Sequence, residues 1–296
     1  MKYLICLAGL LLAAPVLAQS PIDESRPLAA DGRVTIENMK GRVTVRTWDQ
    51  PRVRITGSLG EGVEKLDIDG GNQALSIHVR YPETGGWFSR DRSGPTMLEV
   101  TLPARASVSV EGVSADIDVA GTGGRRLQLE SVSGDVLVRA ARADEVRLES
   151  VSGDVDAEVE SRDIGVESVS GNVRAVGRIS GRVALAAVSG DIALSSATVE
   201  RLTVESVSGD AKLDTGLAAG GSIDAESVSG DLTLTLPADS SARLRVESFS
   251  GSIRSPVGRV ETEEYGPGSH LDARLGAGNG EIRIETFSGD ASILTR

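Results

Sequence analysis

Cysteine is almost missing from this chain: the single copy, Cys6, sits in an apolar leader. Its surroundings do not form a lipoprotein cleavage site, so the body of the protein has no thiol, no disulfide and no cysteine metal site. Histidine is nearly as scarce. His78 and His270 are far apart and flanked by no metal-ligand pattern. No HExxH, GxSxG or P-loop segment occurs, and the GAGNG of Gly276–Gly280 reads as a turn rather than a nucleotide site. Aromatics make up 3% of the chain, which leaves few sugar-stacking platforms. Helix periodicity is absent, which excludes helical and leucine-rich repeats. Excess positive charge is absent too. The balance of 31 Lys and Arg against 43 Asp and Glu gives a net charge of −12, which repels nucleic acid and anionic lipid.

The one long apolar run is at the start. Lys2 precedes YLICLAGLLLAAPVLA, with small residues at Val16 and Ala18. This reads as a cleavable signal peptide over residues 1–18, cut after Ala18, and predicts a secreted or periplasmic protein. A retained signal anchor is the alternative. No later segment is long and apolar enough to span a membrane.

What the chain has in abundance is one octapeptide. LESVSGDV occurs at Leu148–Val155, and its glycine recurs at Gly134, Gly153, Gly171, Gly190, Gly209, Gly230, Gly251 and Gly289. The gaps are 19, 18, 19, 19, 21, 21 and 38 residues, the last being two periods. A degenerate copy, EGVSADID, places Ala115 one period upstream, and NMKGRVTV around Gly41 is an earlier relative. A period near 20 signals a stacked repeat. Both sides of the motif alternate with period two, so both are strands. Before the bend, Val146, Leu148 and Ser150 share the inward face. After it, parity assigns Val132, Gly134, Val136, Val138 and Ala140 inward.

Two strands and two corners per repeat predict an all-β fold, a parallel β-solenoid with coils of about 19–21 residues. The motif glycine is expected on the inward face beside the corner, either crowded by its stacked equivalents or at positive φ. The preceding serine is expected to face inward and bond the corner backbone. The two extra residues of the longer gaps fall in TGLAAGGS and LPADSSAR. Residues 19–115 form a less regular β region with an exposed loop at 81–95. Residues 116–296 form the regular repeats, interrupted by an irregular loop at 255–280, whose LGAGNGEIRI end is a candidate further corner.

The LESVSGDV coils, the strand-rich N-terminal part and the late GNGEIRIETFSGD together resemble the bacterial DUF4097 family of adhesin-like proteins. The resemblance covers essentially the whole chain after the leader. It implies a β-solenoid at the cell envelope and brings no catalytic residues with it.

Stacking would align the repeat carboxylates in outward rows. One row is Asp135, Asp154, Asp191, Asp210, Asp231 and Asp290, with Asn172 and Ser252 substituting. The other holds Glu130, Glu149, Glu167, Glu205, Glu226, Glu247 and Glu285. Calcium is the one candidate cofactor, with Asp135, Asp154, Asp191, Asp210 and Asp231 as its candidate ligands; a solvated row screened by salt is the competing reading. Trp87, Phe88, Arg90, Arg92 and Tyr265 stand on the two irregular loops as candidate binding residues, or as a cover over an open solenoid end. Trp48 reads as a core or capping residue. The expected function is a non-catalytic binding or structural module whose partner is an envelope component or a protein. A β-helix enzyme, or inactive relative, acting on envelope polysaccharide is a second reading. Self-association through the terminal coil around Ile293 is a third.

Overall fold

Residues 20–82, 93–262 and 267–296 are described by a computed structural model of the chain. The leader and its predicted cut lie outside these residues. So do Cys6, Trp87, Phe88, Arg90, Arg92 and Tyr265. Every regular element among the described residues is a strand. In chain order they are β1 (Ser20–Pro27), β2 (Arg33–Trp48), β3 (Arg52–Leu59), β4 (Lys65–Gly70), β5 (Ala74–Arg80), β6 (Thr96–Pro103) and β7 (Ser107–Ala120). There follow β8 (Arg126–Ser131), β9 (Val136–Arg142), β10 (Glu145–Ser150), β11 (Val155–Ser170), β12 (Val173–Ser189), β13 (Ile192–Ser208) and β14 (Ala211–Ser229). The last are β15 (Leu232–Leu236), β16 (Ala242–Ser248), β17 (Ile253–Arg254), β18 (Glu261–Thr262), β19 (Ser269–Leu275), β20 (Gly280–Ser288) and β21 (Ala291–Thr295).

The strands stack as the solenoid the repeat predicts. One flank of each coil carries the Leu-Glu-Ser strand that ends at the motif corner. There β2, β7, β8, β10, β11, β12, β13, β14, β20 and β16 pair in that order, all parallel. The other flank begins after the motif and is parallel from β6 through β2, β7, β9, β11, β12, β13, β14, β15 and β21 to β17. Register holds residue for residue, with Leu148 beside Leu129 and Val166. Like residues therefore form columns, and the inward columns of Val, Leu, Ile and Ala make one continuous core. Each such Val or Leu contributes about 1.5–3 kcal/mol by leaving water.

The coils do not stack in chain order at either end. The N-terminal β2 lies inside the coil made by β5 and β6. At the other end the chain passes from β15 to β16, reverses through β18 and β19, and returns to thread β20 between β14 and β16. The final strand β21 is likewise held between β15 and β17. Ile293 is a buried core residue of β21, which pairs with β15 along its length and with β17 at Ala291 and Ser292. Antiparallel strands cover β5 and β6 at one end and β16 at the other: β4 on β5, β3 on β6 and β19 on β16. Such reversals break the template that a parallel edge would offer to another chain.

Two inward assignments made by parity are corrected. Val132 and Ser133 both face solvent, so the corner spends two consecutive outward residues before Gly134 turns inward again. Ala140 also faces out, because it takes φ 49° at an irregularity where β9 and β11 shift register. The remaining inward residues and the two-residue excesses fall where the repeat put them, whereas the 255–280 segment, expected to be an irregular loop, contains β18 and the seven-residue β19 paired with β16. Near Ser222 the extra residues make a register shift between β13 and β14, and Pro237–Ser241 turn between β15 and β16. The segment Gly276–Asn279 is a turn between β19 and β20.

Candidate functional site

Each motif corner places its side chains in a fixed sequence around the bend. In LESVSGDV, Glu149 points out, Ser150 in, Val151 and Ser152 out, Gly153 in and Asp154 out. The glycine allows the close stacking: a Cβ on Gly153 would overlap the carbonyl oxygen of Gly134. The same holds up the column, and Gly190, Gly209 and Gly230 also adopt positive φ. The inward serine ties the bend together where it can, with Ser206 Oγ donating to Gly209 O at 3.1 Å and Ser227 Oγ to Gly230 O at 3.2 Å.

Because the corner exposes its valine, stacking produces an apolar row in solvent. In spatial order it comprises Met39, Val113, Val132, Val151, Val169, Val188, Val207, Val228, Phe287 and Phe249, each an exposed large apolar residue. The two phenylalanines, 38 residues apart in sequence, stack face to face at 4.8 Å with planes 5° apart. Two residues before each valine runs the glutamate row. Registered pairing sets Glu37, Glu111, Glu130, Glu149 and Glu167 side by side, then Ala186, Glu205, Glu226, Glu285 and Glu247. The row ends in histidine at both extremities. His78 lies opposite Glu37 with Nδ1 3.0 Å from its carboxylate, and His270 lies opposite Glu247. His270 Nε2 is 3.3 Å from Glu261, one strand further out. The chain's two histidines therefore share one column.

Together the two rows form the floor of a long open groove of about 1010 Å³, running from the Glu130 rung to β19. Acid dominates its lining, with Arg245 and His270 as the basic side chains near one end. Burial, then the neighbouring Glu130 and Glu167, push the Glu149 carboxyl above the usual carboxylate range. Glu111 is raised in the same way by burial and by Glu130 and Glu37. Elsewhere the acids are paired across coils. Arg46 and Arg139 both bind Asp118, and Arg147 and Arg182 both bind Asp163. Burial alone would raise those two aspartates, but the arginine hydrogen bonds outweigh it and hold both below the ordinary value.

The aspartate row on the far side of the corner does structural work. Asp135 Oδ1 accepts the amide of Asp154 at 3.0 Å, Asp154 that of Asn172 at 2.8 Å, and Asp191 that of Asp210 at 2.9 Å. Asp210 accepts from Asp231 and Asp231 from Asp290, each at 2.9 Å. All five calcium candidates thus commit an oxygen to the next coil's backbone. Among the described residues no group of three or more His, Cys, Asp or Glu side chains is placed to hold a metal ion. Trp48 closes the end of β2, where its indole donates to Arg52 O at 2.8 Å beneath the Arg52 guanidinium.

A second groove, about 820 Å³, follows the opposite corner past Arg105, Arg125, Arg142, Arg162 and Arg178. Glu160 pairs with both Arg142 and Arg178 there. Neither this groove nor the valine row was legible from parity. The signal that marks the row is the valine of the SVSG motif, which stays valine in GVSA and AVSG, becomes phenylalanine in SFSG and TFSG, and is Met39 at the N-terminal end.

The Toastrack DUF4097 family model matches residues 32–294. No curated protein matches the chain. Among solved structures, a "putative lipid binding protein" from Parabacteroides distasonis is 12% identical, with 94% of this chain and 97% of that one covered and a TM-score of 0.48. A "putative adhesin" from Bacteroides fragilis is 12% identical, with 94% and 98% covered and a TM-score of 0.44. Another "putative adhesin", from Parabacteroides merdae, is 9% identical, with 93% and 96% covered and a TM-score of 0.39.

Proposed function

We propose, from the premise that this chain belongs to the Toastrack DUF4097 family, that it is an exported, non-catalytic binding module of the cell envelope. Its working surface on this reading is the groove floored by the valine–phenylalanine and glutamate rows. One observation carries the proposal: ten exposed apolar side chains stand in an unbroken line, a patch far longer than scattered surface residues produce. The core does not ask for valine there, since each side chain stands outside it and packs only against its neighbours in the row. The residues that resemble catalytic equipment have other work. Both histidines lie at the ends of the glutamate row, and the repeated aspartates hold backbone amides.

The test uses the chain from Gln19 onward, mixed with washed envelope fragments and sedimented. Wild type should co-sediment, and a Val188→Ser, Val207→Ser variant should stay in the supernatant. Both sites are exposed and the change adds no charge, so the variant should melt close to wild type. Equal retention of the two proteins would overturn the proposal. Release of reducing ends from the fragments would favour the polysaccharide-cleaving alternative.

A further inference from the structure

The occupant of the groove can be named by its chemistry. We infer that the groove takes an extended basic polypeptide segment, with cationic side chains along the glutamate row and apolar ones on the valine–phenylalanine row. The inference rests on the binding reading above and adds the partner's class to it.

Charge is the first argument. This protein pairs its acids across coils wherever an arginine can reach, as at Asp116, Asp118, Asp156 and Asp163. The glutamate row departs from that habit over its middle. Glu285 pairs with Arg283, whose charge also acts on Glu247 and Glu226, and Glu37 pairs with His78. Among the described residues, however, Glu149, Glu167 and Glu205 make no ion pair, although rungs about 4.8 Å apart bring like charges close together. Burial first, and then repulsion from Glu130 and Glu167, raises the Glu149 carboxyl. Several fixed carboxylates in line, short of counter-charge, favour a ligand carrying several cations in line.

The apolar row and the charge together exclude other occupants. A simple cation would leave the valines wet. An anionic lipid surface would meet the carboxylates, as would a second copy docking through the same face. Among the described residues, neutral sugars would find aromatic platforms along the row at Phe249 and Phe287 alone, at one end of it.

Shape selects the conformation. From the Glu130 rung to the His270 rung there are eight inter-strand steps, roughly 38 Å. The groove is open along its length and its two rows are straight, so an extended chain lying along it can set its side chains rung by rung. A polyproline-II chain rises about 3.1 Å per residue, so three residues cover about 9.3 Å. Two solenoid rungs cover about 9.6 Å. A cation at every third residue would therefore keep step with every second glutamate, and about twelve residues would fill the groove.

The experiment uses a fluorescent (Lys-Pro-Val)4 peptide with the chain from Gln19 onward, read by anisotropy. Binding should weaken at least tenfold as salt rises from about 50 to about 300 mM. A Glu149→Gln, Glu167→Gln, Glu205→Gln variant should bind at least tenfold more weakly with a flatter salt dependence, while melting no lower than wild type. Val188→Ser with Val207→Ser should weaken binding without altering the salt slope. Equal binding of (Glu-Pro-Val)4, or unchanged affinity in the glutamine variant, would overturn the inference. So would competition by neutral phosphatidylcholine vesicles, or a dimer broken by Val188→Asp. Should the peptide fail to bind while the Val188→Ser, Val207→Ser variant still loses the envelope, the inference falls and the binding reading stands. Full envelope retention by that variant removes both.

Discussion

The backbone amide of Asp210 donates to the carboxylate of Asp191, one coil away, at 2.9 Å. Nineteen residues separate the two in sequence, and the bond recurs at nearly every coil boundary along the aspartate row. It explains why the residue after the motif glycine is so regularly Asp, with Asn172 the natural substitute. An asparagine carbonyl does the same work, and Asp191 in turn donates its amide to Asn172 Oδ1 at 3.0 Å. Asp191→Asn should therefore leave the melting temperature close to wild type. Asp191→Ala should cost about 1 kcal/mol, the usual worth of such a bond. Equal loss in both variants, read by urea unfolding, would show that the bond carries no stability.

The glycine column sets a harder limit. Gly190 has φ 151°, and a Cβ there would overlap the carbonyl oxygen of Gly171, which the stacking cannot move without separating two coils. Gly190→Ala should destabilise by roughly 3 kcal/mol, combining backbone strain with overpacking. Asp191→Ala, one residue on, is the internal comparison and should cost far less. The reverse order in thermal melts would contradict the corner geometry.

The repeat made the glycine's role legible before any coordinate, because identical spacing forces identical residues into register; it also aligned the aspartates, but as calcium ligands or a solvated row and not as acceptors of the next coil's amides. Parity was a poorer guide at the bend. It assumes that each step switches face, whereas Val132 and Ser133 both stay outside and Gly134 resumes the inward phase. That one slip concealed the apolar row and with it the candidate site. The histidines were illegible for a different reason. His78 and His270 reach the glutamate row only because β5 and β19 lie outside coils that do not follow chain order. No local pattern reports an exchange of coil order. Trp87, Phe88 and Tyr265, the loop residues favoured by composition, fall outside the described residues.

The inward serines divide into two kinds. Ser206 Oγ bonds Gly209 O, whereas the buried hydroxyls of Ser150 and Ser168 have no partner. The next rung after Ser168 is Ala187, so the column already accepts a methyl group. Ser168→Ala should be neutral or stabilise by up to about 1 kcal/mol, because it deletes an unpaired buried polar group. Ser206→Ala should destabilise by about 1 kcal/mol, because it deletes a made bond. Chemical denaturation of the two variants side by side reads the difference. A cost at Ser168 as large as that at Ser206 would mean that its hydroxyl is satisfied in solution.

Acid and base should act on opposite sides of the molecule. Glu149 is raised in the folded chain, by burial and then by Glu130 and Glu167, so the native state holds its proton more tightly than the unfolded chain does. Its charge is therefore a penalty, absent below the unfolded carboxyl value and complete above the folded one. Asp118 behaves inversely, because Arg46 at 3.0 Å and Arg139 at 2.7 Å more than offset its burial. Its contribution is complete above the unfolded value and is lost as pH falls through the lowered folded one. Glu149→Gln should then raise the melting temperature near pH 7 by an amount equivalent to a few tenths of a kcal/mol, screening at an exposed side chain keeping it small, and do nothing at about pH 3. Asp118→Asn should lower it near pH 7 by the equivalent of about 1 kcal/mol and converge on wild type toward about pH 2. Melting curves of the three proteins across that range decide the matter. A glutamine variant less stable than wild type at neutral pH would mean that the row's charges are already compensated within the chain, and the glutamates would then have no need of an outside cation.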